Sequence, residues 1–203
     1  MKRICVGLMI ALLLSSCLGI RSNVAIKPNG SGTVTMEYRI SQAIQSIGQL
    51  DGNANWPTVP VSKADFERSI IRIPGLKLRS FKTKTTDNDI VMMIKLEFAD
   101  LEALVRFLDA TGRHASFTQN GAKRQLRIML SEEHAIEPEL LSLAALLSTG
   151  YMFELHFSLP GDGTLSGVDA QGKPIQGVRG TSVAIPMPDL LAYRDGVQIE
   201  LVW

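Results

Sequence analysis

Among the residues of this 203-residue chain, Cys17 is the one whose type and position most clearly predict chemistry. It directly follows an apolar run at residues 4–14 and the small pair Ser15 and Ser16, with Lys2 and Arg3 at the start. A positive start, an apolar core and small residues before a break are the three parts of an export signal. That core is too short for a spanning helix, which needs about 20 apolar residues. The only other thiol, Cys5, lies inside the same segment, so removing it leaves no pair for a disulfide.

Other reactive side chains are scattered. His114, His134 and His156 fall in three different elements, without the i, i+4 spacing that puts two imidazoles on one helical face for zinc. Glu132, Glu133, His134, Glu137 and Glu139 crowd one stretch, which reads as a solvated loop leading into a helix. Asp87 and Asp89 flank Asn88, but the glycine and terminal glutamate of a calcium loop are missing. No serine sits in G-x-S-x-G, and "GSGT" and "GDGT" lack the lysine and following helix that cradle phosphate. Gly161, Gly163 and Gly167 read as turn residues allowing positive φ. The expectation is a protein with no catalytic residue, no metal and no cofactor.

The order Leu14, Ser15, Ser16, Cys17 resembles the lipobox of bacterial lipoproteins. That resemblance implies a diacylglyceryl group on the Cys17 sulfur, cleavage just before it, and acylation of the new amine. Residues 1–16 are then a lipoprotein signal peptide, 17–22 a lipidated N-terminus with a short tether, and 23–203 a single domain, within the usual size range. Each buried acyl methylene contributes about 0.8 kcal/mol, so two or more chains on Cys17 hold a protein stably on a membrane. In enteric-type sorting an aspartate after the cysteine marks inner-membrane retention. Leu18 stands there instead, which favours the outer membrane. The expected location is the cell envelope, with the domain exported.

Composition agrees with a folded exported domain: 45% hydrophobic and 20% charged residues supply a core. Removing Lys2 and Arg3 from 21 basic residues leaves 19 against 20 acidic, a charge of −1. Nucleic acid is excluded as a partner on that balance, since phosphate binding needs a concentrated basic surface.

The elements that must position any site read as strands joined by tight turns. Residues 23–27 and 33–41 predict a hairpin around "PNGSG", with Val34, Met36, Tyr38 and Ile40 on one face. A short helix follows, then a loop, "DGNANWPTVP". Ser62 opens a helix carrying Phe66, Ile70 and Ile73, stopped by Pro74 and Gly75. Residues 76–85 and 90–98 predict strands joined by "TDND". Asp100 caps a helix with Leu101, Leu104, Val105 and Leu108 on its apolar stripe. Asn120 and Gly121 mark a hairpin turn between 113–119 and 122–131. A helix ending at Gly150, strands at 151–159, 181–186 and 197–203, and a helical turn at 188–193 complete the chain. The expected fold class is α+β, an antiparallel β-sheet built from hairpins with about three packed helices.

Four stretches, "SGTVTMEYRIS", "LEFADLEALVRFL", "GYMFELHFSLPGDGTLSG" and "VAIPMPDLLAYRDGVQIELVW", follow in the order of the LppM-like family of bacterial lipoproteins, which the chain resembles over most of residues 29–203. The resemblance implies an exported, lipid-anchored envelope protein with lipid recognition as its role. No catalytic motif comes with it.

A binding role has its own residues. Leu140, Leu143 and Leu147, with their apolar neighbours, predict a helix that is apolar nearly all round and must be covered or line a groove. Met92, Met93, Met129, Met152 and Met187 are the adaptable side chains of a lipid pocket, if they converge. Trp56 sits in a loop rich in Pro and Asn, where its amphipathic ring suits a membrane interface. The expected ligand is a phospholipid or glycolipid. The alternative is a structural or assembly role against another envelope protein.

Overall fold

The computed structural model describes residues 18–42, 62–109, 114–132, 142, 145–146, 148–193 and 196–203. Strands β1 (Leu18–Ile26), β2 (Gly32–Ser41), β3 (Leu76–Thr85), β4 (Asp89–Phe98), β7 (Met152–Ser158), β10 (Ser182–Pro186) and β9 (Val178–Arg179) make a seven-stranded sheet in the order β3-β4-β2-β1-β7-β10-β9. A four-stranded sheet runs β5 (Ala115–Asn120), β6 (Lys123–Glu132), β11 (Gly196–Val202), β8 (Thr164–Asp169). Among the described residues, three short helices accompany them: α1 (Lys63–Ile70), α2 (Leu101–Leu108) and α3 (Met187–Ala192). The chain is therefore α+β but mainly sheet.

Alternation builds the core as expected. Val34, Tyr38 and Ile40 of β2 are buried, and the facing rows Ile94, Leu96 and Phe98 of β4 join them. Leu126, Val197, Ile199 and Leu201 supply the four-stranded sheet's share of the same cluster, and Phe66 and Ile70 of α1 close over one end. Asp100 caps α2 through a 2.8 Å hydrogen bond from the Ala103 N–H. α1 ends at Ile70, so Ile73 lies beyond the helix.

Several expectations are corrected. Residues 18–22 are strand, not tether, because β1 hydrogen-bonds on both sides, to β2 from Leu18 and to β7 from Ile20. The pairing of β1 with β7 is parallel, so the sheet is mixed rather than wholly antiparallel. The β5–β6 turn centres on Gly121 and Ala122, with Asn120 paired to Lys123. Gly121 has φ 61° and Asn120 does not have positive φ, so glycine takes the first central position, as in a II′ hairpin. Strands β8 and β9 were not expected. None of Gly161, Gly163 and Gly167 has positive φ. At Gly167 in β8 the need is space: a Cβ would stand 2.7 Å from the Ile175 side chain.

In β3 the apolar residues Leu76, Leu78 and Phe81 break the spacing of two. A bulge between Leu78 and Ser80 absorbs the extra residue, so all three face inward, and the Phe81 ring lies 5.9 Å from that of Phe66.

Candidate functional site

Strand register places one set of strand ends side by side. Leu18 opposes Ile40, Ile40 and Thr85 both oppose Ile90, and Ile20 opposes Phe153. At this end the outward face of the sheet holds a groove of about 330 Å³ across β4, β2, β1 and β7. Period-two alternation points Arg21 of β1, Glu37 and Arg39 of β2 and Glu154 of β7 to that face, opposite the buried Val24 and Ile26 of β1, Tyr38 and Ile40 of β2, and Leu155 and Phe157 of β7.

These charges pair across the strands. Arg21 grips Glu154 at two points, Nε to Oε2 at 2.8 Å and Nη2 to Oε1 at 2.9 Å. Arg39 donates to Glu37 Oε1 at 2.9 Å through Nε, with Nη2 at 2.8 Å. The hydrogen bond from Arg21 holds the Glu154 carboxyl below the usual carboxylate range, against a smaller opposing push from burial. A lowered carboxyl stabilises the fold above the usual range and loses that contribution as pH falls through its own lowered value. With the Arg21 side chain 64% exposed, solvent screening keeps the pair small. Glu154→Gln is expected to cost under about 1 kcal/mol at neutral pH, and less at an acidic pH below the usual carboxylate range. Denaturant unfolding of both proteins at the two pH values checks this, and a gap that widens on acidification contradicts it.

Tyr151 closes one side of the groove. From just before β7 it reaches across β1 and β2 and donates its hydroxyl to Asp89 Oδ1 at 2.6 Å, on β4. Gly19 permits the crossing, since a Cβ there would stand 3.1 Å from the Tyr151 ring. Gln42, the last described residue of this stretch, donates its N–H to the Asn88 carbonyl at 2.8 Å beside the same groove.

The remaining candidates are weaker. His156 Nδ1 and Ser182 Oγ lie 2.6 Å apart, a cross-strand pair exposed to solvent. The buried Asp109 carboxylate accepts N–H donors from His114 and, at 3.1 Å, Ala115, with His114 Nδ1 at 3.4 Å. It ties the end of α2 to the start of β5, which is a structural task. A second groove of about 270 Å³, at the opposite end of the sheet, is lined by Lys27, Lys77, Glu97 and small residues. Among the described residues, no group of three His, Cys, Asp or Glu is placed to hold a metal ion, and no helix is long and apolar enough to cross a membrane.

Cys17, Trp56, Leu140, Leu143 and Leu147 lie outside the described residues, as does His134. Of the apolar run, Leu146 is described and is 70% exposed. The methionines do not converge. Met92 points into the core, its neighbour Met93 to the opposite face, and Met129 belongs to the other sheet. Only Met152 reaches the groove. Sequence reasoning missed Arg21, Arg39, Glu154 and Tyr151 because their grouping depends on which strands pair. The one available signal was the alternation that puts Glu37 and Arg39 outward. No protein-family model matches the chain, and no curated protein matches it.

Proposed function

We propose that this chain is an exported bacterial lipoprotein, akin to the LppM-like lipoproteins, anchored to an envelope membrane by acyl chains on Cys17 and binding an envelope lipid or another envelope component without catalysing a reaction. One observation carries the reading: β1 begins at Leu18, so the residue after Cys17 is already strand, and the groove opens beside it. Acyl chains on Cys17 hold that end of the sheet against the bilayer with no spacer between. The polar, charged lining of the groove favours recognition of a polar group at the membrane surface over enclosure of an acyl chain. The test is the mass of the N-terminal tryptic peptide of the protein purified from membranes. It is expected to begin at Cys17, end at Arg21 and carry a diacylglyceryl group. An unmodified Cys17, or a chain still bearing residues 1–16, overturns the anchor.

A further inference from the structure

Resting on that reading, we propose that the groove binds the zwitterionic head group of a phospholipid in the leaflet that holds the anchor, with phosphate at Arg39 and ammonium at Asp89. The lining carries two guanidiniums, Arg21 and Arg39, and three carboxylates, Glu37, Asp89 and Glu154. A simple anion meets three like charges there, and a simple cation meets two. A ligand with both signs a short distance apart satisfies both sets.

The partners already made decide which groups are available. Arg21 and Glu154 are committed to each other in a two-point pair. Arg39 spends two of its five N–H groups on Glu37. Asp89 takes the Tyr151 hydroxyl on one oxygen, and a carboxylate has about four acceptor sites. Arg39 and Asp89 stand diagonally on neighbouring strands, since Arg39 opposes Val91 and Asp89 opposes Ser41, an offset of about 7 to 8 Å that a long arginine side chain and a ligand with a two-carbon link between phosphate and ammonium can bridge. The Tyr151 ring supplies an aromatic surface for the ammonium, and Met152 supplies apolar surface for the adjoining carbons. Geometry also supplies the ligand. Two residues of chain span at most about 7 Å, so the Cys17 backbone that would carry the anchor stays within that reach of Gly19 on the groove floor. Head groups then face the groove at high effective concentration.

The experiment uses the full processed protein, purified in detergent and titrated with soluble probes by NMR or calorimetry. The probes are sn-glycero-3-phosphoethanolamine, its two halves as inorganic phosphate and ethanolamine, and the anionic sn-glycerophosphoglycerol. Binding of the phosphoethanolamine probe is expected to saturate at least fivefold tighter than any of the others. Arg39→Gln and Asp89→Asn are each expected to weaken it at least fivefold at unchanged thermal midpoints. Equal binding of inorganic phosphate, no saturable binding, or folded variants that bind like the original protein would overturn the proposal. If a variant does not fold, the probe selectivity of the unmutated protein decides alone. Head-group binding by a protein with unmodified Cys17 would sink the anchor and keep the groove. An acylated protein without head-group binding would do the reverse.

Discussion

A full-length chain carrying Cys17→Ser is expected to incorporate no acyl chain at all and to accumulate as an unprocessed or soluble product. The argument is chemical before it is structural. On the proposed lipoprotein reading, serine keeps the size of the side chain but replaces the thiol that would receive the diacylglyceryl group, and cleavage before residue 17 would then fail because it requires the lipidated cysteine. The energetic consequence is large. At about 0.8 kcal/mol per buried methylene, two chains of ordinary length contribute on the order of 20 kcal/mol of membrane affinity, far more than any exposed patch of the domain supplies. The apolar run at residues 4–14 does not replace it, since it is too short to span a bilayer. Metabolic labelling with a fatty-acid probe is the measurement. Equal label in the serine variant and the original protein would remove the anchor, and with it the reason for placing the groove at a membrane.

The largest effect on the domain itself is expected from Gly32→Ala. Gly32 opens β2 and pairs with Ile26 on one side and Phe98 on the other. A Cβ at this position would lie 2.0 Å from the Ala25 carbonyl oxygen and 2.4 Å from the tip of the Phe98 ring. Neither neighbour can yield cheaply. The carbonyl belongs to the backbone of β1, and Phe98 is 2% exposed in a close-packed core. Overpacking of this kind costs about 3 kcal/mol, which for a domain of this size lowers the thermal midpoint by roughly 6 to 12 °C. Gly121→Ala is the comparison. Its φ is 61° but nothing stands within 4 Å of the added carbon. The cost there is conformational alone, about 1 kcal/mol, and roughly 2 to 4 °C. Equal midpoint losses for the two variants would show that the β1–β2 corner relaxes and that Gly32 is not a packing requirement.

What the sequence by itself determined is what depends on neighbours along the chain. The spacing of two in Val34, Met36, Tyr38 and Ile40 announces which face of β2 is inward, because successive strand side chains point to opposite sides. "TDND" separates β3 from β4 at the expected place, and Asp100 starts α2 because its carboxylate reaches an N–H three residues on. The order around Cys17 is equally local, since the lipobox resemblance rests on adjacent residues.

Only the tertiary structure decided the rest. "LGIRSN" is a poor strand by composition, yet it is strand because β2 and β7 offer hydrogen bonds along both its edges. The second of these partners comes from more than a hundred residues away, and nothing in the local pattern of β1 announces it. The same pairing brings Glu154 against Arg21 and carries Tyr151 over Gly19 to Asp89, so the groove exists only once the register is set. Gly163 and Gly167 follow the same logic. In sequence they look like turn glycines, but in space they are the positions where Leu159 and Ile175 come too close for any side chain. A local pattern can state which way a residue points, whereas what it meets there is set by strand order, which the chain acquires only by closing long loops on one shared core.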